Sequence, residues 1–232
     1  MKVKLFADGA DKKVMLEMYK NPLISGLTTN PTLMRKAGIT NYKEFSLDIL
    51  SEIKDVPISF EVFSDDIEEM YRQGLEIASW ASNVYVKIPI TNTKGESTYD
   101  LIERLARKNV KINVTAIMTI DQVKHILPAM LKCPAGYISI FAGRIADTGV
   151  DPLPIMIEAV ELVKNYYFLE ILWASSRELY NVIQADEINC HIITITNDIF
   201  KKIPIIGKDL TELSLDTVKM FYKDSISSGF SL

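Results

Sequence analysis

Cysteine and histidine are scarce in this chain, two of each among 232 residues. Cys133 and Cys190 lie far apart in no CxxC, and His125 and His191 have no partner at ligand spacing. Buried thiols and ordinary polar histidines are therefore the better reading, and neither a metal nor a zinc site is expected. Positive charge is in short supply too: the net charge is -4 and the pI about 5.4. Nothing in that balance favours nucleic acid or an anionic membrane, and a phosphate-bearing ligand must be held by locally placed cations. No apolar run approaches the roughly 18 residues that span a bilayer, and the opening MKVKLFADGA lacks the charged-then-apolar layout of a secretion signal. Repeats, low-complexity tracts and long linkers are absent as well. What remains, 48% hydrophobic and 24% charged residues, suits one large core, so a single-domain, soluble, cytoplasmic protein is expected.

Short apolar runs alternate with longer stretches of helical period. Eight runs read as strands: VKLFA (3–7), LISGL (23–27), PISFEVF (57–63), NVYVKIPI (83–90), KINVTAI (111–117), GYISIFA (136–142), YFLEILWA (167–174) and CHIITIT (190–196). Between them lie amphipathic stretches such as 65–81, with Ile67, Met70, Tyr71, Leu75 and Ile77 on its apolar side, and 119–132, which Pro128 should bend or end. Strands rich in Val and Ile, each followed by a helix, argue for parallel β buried on both sides. Eight such units close as a (β/α)8 TIM barrel, expected over 1–207. The alternative is an open doubly wound sheet, but no GxGxxG follows the first strand to bind a dinucleotide. A C-terminal helical extension, 208–232, carries apolar residues from Leu213 to Tyr222 beyond what closure needs, so a homo-oligomer is expected.

Lys87 stands inside the run NVYVKIPI, where a lysine seldom goes unpaired. Taken alone it reads as a lysine on the open face of a strand, or one with its stem on apolar surface and its ammonium in water. Its company changes that reading. In a barrel the chemistry sits at the C-terminal strand ends, and those ends are polar here: Asp8, Thr28 to Asn30, Glu61, Lys87, Asn113 with Thr115, Ser139 with Arg144 in the next loop, and Ser175 to Arg177. Each has an ordinary structural role open to it, Asp8, Asn30 or Ser175 as a helix cap for instance. Together they ring one mouth. A lysine desolvated within such a ring, near Arg144 or Arg177, is poised to attack a carbonyl, which is the chemistry of a Schiff-base enzyme.

GLTTNPTL (26–33), VYVKIPIT (84–91), INVTAIMT (112–119), ISIFAGRIAD (138–147) and LWASSRE (172–178) resemble, in order and spacing, the strand-end motifs of the transaldolases and their short relatives, the fructose-6-phosphate aldolases. The resemblance spans nearly the whole chain. It implies a (β/α)8 barrel that cleaves a ketose phosphate through a lysine imine, with neither metal nor cofactor. On this sequence it makes Lys87 the Schiff-base lysine and Asp8 the base that takes the C4 hydroxyl proton. Glu61 and Thr115 hold the catalytic water, Thr28, Asn30, Asn113 and Ser139 orient the sugar, and Arg144, Ser175 and Arg177 grip phosphate. It points to a transaldolase of the pentose phosphate pathway that moves a dihydroxyacetone unit between sugar phosphates. The alternatives are free aldol cleavage and, further off, an inactive barrel used for binding. Glu61, Phe141 and Asn113 are of the transaldolase type, since the free aldolases carry Gln and Tyr at the first two positions. Gly9, after Asp8, and Trp173 and Ser176, near the phosphate end, depart from the usual pattern.

Overall fold

Runs of Val, Ile and Leu that alternate with helices bury both faces of a sheet either between two layers of helices or, where the sheet closes on itself, under a single outer layer of them. The computed structural model describes residues 1–229, and in it eight parallel strands form a closed barrel in chain order. The elements run β1 (Lys4–Asp8), α1 (Lys12–Tyr19), β2 (Ile24–Thr28), α2 (Pro31–Lys36), α3 (Tyr42–Glu52), β3 (Ile58–Glu61), α4 (Ile67–Ala78) and β4 (Val84–Pro89). They continue with α5 (Tyr99–Ala106), β5 (Ile112–Ile117), α6 (Ile120–Met130), β6 (Gly136–Ile140), α7 (Ala142–Asp147) and α8 (Leu153–Val163). The first unit, Met1–Phe200, closes with β7 (Leu169–Trp173), α9 (Tyr180–Glu187), β8 (Ile192–Ile195) and α10 (Asn197–Phe200). A second compact unit begins at Lys201 and holds a single 3-10 turn and α11 (Leu210–Ser227). Of the predicted extension, 230–232 lie outside the described residues.

All eight predicted strands are present, with ends shifted by a few residues. The helices agree less closely. Pro128 does not end α6, which continues to Met130 behind a capping box made by Thr119 and Gln122. Leu75, placed on the apolar side of α4, is exposed, while Gln73 and Gly74 are buried. Burial of Gln73 has a use: its side-chain oxygen accepts from the backbone N–H of Phe63 and of Ser64, at 2.9 and 3.2 Å, and so holds the chain leaving β3.

Inside the barrel, period-2 alternation builds a floor and a rim. Phe6, Tyr137, Leu172 and Ile192 pack together as the floor, with Tyr85 against them. Tyr85 stacks on Tyr137 at 4.1 Å, and the Phe6 ring meets Tyr137 edge-on at 5.6 Å. A Cβ on Gly26 would lie 2.5 Å from the Phe6 ring, so β2 carries glycine there to let that ring reach across. Two residues further along the same strands, Phe6 gives way to Asp8, Tyr85 to Lys87, Tyr137 to Ser139 and Ile192 to Thr194. The polar rim therefore sits directly above an apolar floor.

Candidate active site

A cavity of about 460 Å³ opens above that floor, and every site residue predicted from the sequence lines it. Asp8, at the end of β1, accepts from Thr28 Oγ1 at 2.9 Å and from Asn30 Nδ2 at 3.3 Å. Asn30 is the helix cap that its sequence suggests, accepting from Leu33 N at 2.9 Å, and still reaches Asp8 with its other atom. The cap of α1 is Asp11, which leaves Asp8 free for the cavity. Burial pushes the Asp8 carboxyl above the ordinary carboxylate range, against the opposing pull of Lys87 and of the Thr28 and Asn30 hydrogen bonds.

Lys87 is buried, and it is not unpaired. Its Nζ lies 3.3 Å from Glu61 Oε2 and donates to the Thr29 carbonyl at 3.1 Å. The charge at salt-bridge distance is thus a carboxylate, where the sequence had suggested a neighbouring guanidinium. Register explains the pair, since Glu61 and Lys87 stand opposite each other on β3 and β4.

Asn113 and Ser139 bind each other across β5 and β6. Ser139 Oγ donates to Asn113 Oδ1 at 2.6 Å, and Asn113 Nδ2 donates to Ser59 Oγ at 3.0 Å. β5 slips register between Val114 and Ile117, and Ala116 there takes φ 63°. This bulge turns two consecutive residues, Thr115 and Ala116, toward the cavity. Thr115 Oγ1 is buried and has no hydrogen-bond partner among the described residues.

The far wall is basic. Arg144 is exposed, with its guanidinium 5.6 Å from the centre of the Phe141 ring, and it has no salt bridge among the described residues. Arg177 is held on two sides: Nε donates to Asp147 Oδ1 at 2.9 Å, Nη2 also bonds that carboxylate, and Nη1 donates to Ser175 O and Oγ at 3.1 and 3.0 Å. Ser175 has φ 65°. A Cβ on Gly143 would come 1.6 Å from the Ser175 carbonyl, so only glycine lets α7 approach this turn. Among the described residues, four that are not glycine have positive φ. Asn109 and Asn189 follow helices, where asparagine commonly takes that shape. Ala116 and Ser175 line the cavity, and strain of that kind is held at sites rather than spread at random.

Sequence reasoning passed over β8. Thr28 has one hydroxyl hydrogen and gives it to Asp8, so in the 2.6 Å contact between Thr28 and Thr194 the donor is Thr194. The signal was available, because alternation along CHIITIT puts Thr194 and Thr196 on the face of the other strand-end residues, and both line the cavity. Trp173 corrects a different expectation. Leu172 and Ala174 face the cavity while Trp173, buried between them in sequence, does not line it. Ser176 does line it, and donates to the Thr194 carbonyl at 2.7 Å.

Among the described residues, no group of three His, Cys, Asp or Glu side chains could hold a metal ion. A sequence profile of the transaldolase/fructose-6-phosphate aldolase family matches residues 5–231. A probable transaldolase of Thermoanaerobacter sp. is 34% identical over 220 residues, covering 94% of this chain and 95% of its own. A probable transaldolase of Streptococcus agalactiae is 34% identical over 223 residues, covering 96% and 97%. A protein of Listeria monocytogenes named probable transaldolase 2 is 36% identical over 203 residues, covering 87% and 88%.

Proposed function

Because the chain belongs to the transaldolase/fructose-6-phosphate aldolase family, we propose that it is a transaldolase working through an imine on Lys87. The observation that carries this reading is a buried lysine paired with Glu61 in the same cavity as Asp8. Glu61 takes a proton from the Lys87 ammonium, and the freed amine attacks the C2 carbonyl of a ketose phosphate. The carbinolamine loses its hydroxyl as water, with Glu61 returning the proton and Thr115 Oγ1 binding the water, and a protonated imine remains. Asp8 then removes the C4 hydroxyl proton. The C3–C4 bond breaks, an aldose phosphate departs as its aldehyde, and the electron pair left on C3 delocalises into the imine. That carbon adds to the aldehyde of an acceptor, whose oxygen takes the proton back from Asp8, and water releases the new ketose. The raised affinity of buried Asp8 for a proton suits a group that takes one up and hands it back. Thr28, Asn30, Asn113 and Ser139 orient sugar hydroxyls, and Arg144, Ser175 and Arg177 receive the phosphate, for which guanidinium offers a fork of donors.

Phe141 decides between transfer and simple cleavage. The three-carbon intermediate either waits for an acceptor or is protonated on carbon and lost, and Phe141 at the cavity wall has no hydroxyl to help supply that proton. Transfer then outruns release. Phe141→Tyr is expected to raise acceptor-independent release of dihydroxyacetone about tenfold, a modest share of what a placed acid can do. Borohydride reduction with a panel of ketose phosphates, followed by mass spectrometry, reports lysine and substrate together. Rapid release from the unaltered enzyme without acceptor would assign it to free aldol cleavage instead.

We further propose a homo-oligomer built through α11. Among the described residues of its own unit, nothing buries Val218, Phe221 or Tyr222, which are 60%, 63% and 71% exposed. A chain ending near Lys208 is expected to lose mass by light scattering relative to the full chain. An unchanged mass with an intact barrel would dismiss α11 from the contact. A cytoplasmic place in pentose phosphate metabolism completes the proposal, on the family resemblance alone.

A further inference from the structure

β3 pairs with β2 only as far as Ser59, whose carbonyl accepts from Thr29 N at 3.2 Å. Parallel strands direct alternate residues to the same neighbour, so Glu61 aims its N–H and C=O where β2 would continue. β2 has already turned away there, because Asn30 caps α2 and Pro31 begins it. Both backbone groups of Glu61 need partners. One hydroxyl serves both: Tyr42 Oη donates to the Glu61 carbonyl and accepts from the Glu61 N–H, each at 2.8 Å. Tyr42 opens α3, and its ring is fixed edge-on against Phe60 at 6.4 Å and Phe63 at 5.3 Å.

We propose that Tyr42 is a positioning residue for the imine-forming chemistry, setting the backbone of Glu61 and through it the distance from the Glu61 carboxylate to Lys87. The inference rests on the role given to Glu61 above. Without that hydroxyl the end of β3 has no strand to hold it, and the carboxylate 3.3 Å from Lys87 Nζ loses its anchor one residue from where the chain leaves the barrel. Burial pushes the Tyr42 phenol above its ordinary range, so the hydrogen it gives to Glu61 stays in place at any working pH.

A double-mutant cycle separates positioning from general stability. Tyr42→Phe keeps the ring and is expected to slow imine formation, read as the rate of borohydride trapping, about tenfold, with the melting temperature confirming the fold. Glu61→Gln is expected to slow it more, and the two together no further than Glu61→Gln alone, since an anchor for an absent carboxylate has nothing to set. Losses that multiply would overturn the proposal and leave Tyr42 a packing residue. A Glu61→Gln enzyme as fast as the parent would overturn the role of Glu61 itself, a different failure. Phe63→Leu trims the same aromatic cluster without touching the hydroxyl and is expected to leave the rate within twofold; a loss equal to that of Tyr42→Phe would also refute the idea. If Tyr42→Phe does not fold, 4-aminophenylalanine at that position, which retains a donor for the Glu61 carbonyl but is a poor acceptor for its N–H, enters the same cycle under the same criterion.

Discussion

Replacing Lys87 with Met is expected to abolish borohydride trapping and to lower turnover by about 10⁴-fold or more, as befits loss of a covalent nucleophile. Methionine is close to lysine in length and suits the apolar surroundings of β4, where Val86 and Ile88 are fully buried. The barrel should stand. Its cost in stability comes from Glu61, left without its partner 3.3 Å away. Because the Glu61 side chain keeps 16% of its exposure, that cost should fall below the about 3–5 kcal/mol of a fully buried broken pair. Mass spectrometry after reduction reads the first effect and thermal unfolding the second. Trapping that survives in Lys87→Met would move the imine to another lysine and refute the assignment.

Asp8→Asn is expected to split the reaction at its middle. The variant should still trap a ketose phosphate on Lys87, yet turn over about 10³-fold more slowly, within the range of a removed general base. It should also be more stable than its parent at neutral pH. Burial holds the Asp8 carboxyl above its ordinary range, so its ionised form is a penalty to the fold. A raised acid loses stability as pH climbs from the unfolded value, about 3.9, through the folded one, and below the lower of these the penalty is gone. The melting temperature of Asp8→Asn should therefore exceed the parent's at pH 7, and the two should converge toward pH 4. A variant that is slower but less stable at pH 7 would mean that the hydrogen bonds from Thr28 and Asn30 outweigh burial.

Local signals sufficed for the parts of this molecule that local chemistry decides. Eight β-branched runs forecast eight strands, and polar residues at their ends forecast the residues that meet in one cavity. Two of the misses share a cause. Lys87 was placed near Arg144 or Arg177 because its partner, Glu61, is brought opposite by strand register, which no local window contains. Tyr42 escaped notice because it belongs to a helix and acts on main-chain atoms, a pairing visible only once β2 turns away. Pro128 was expected to bend the 119–132 stretch or end it, and the second does not happen: the capping box and the burial of Ile126, Ala129 and Met130 carry the helix past it. Trp173 was placed near the phosphate end, and one step of strand alternation puts it on the other face.

The pairing of Arg177 with Asp147 bears on how fast a sugar can leave. All three nitrogens of that guanidinium are committed, in four hydrogen bonds to Asp147 and Ser175. On the role proposed above, a phosphate arriving at Arg177 exchanges places with an anion already seated there and gains only the difference between two ion pairs, while Arg144 beside it has no salt bridge among the described residues. The same exchange runs backward, Asp147 closing on Arg177 as the phosphate withdraws. An enzyme that must discharge one phosphorylated sugar, admit another and discharge that in turn is served by such a revolving grip, since tight retention of either product would slow every cycle.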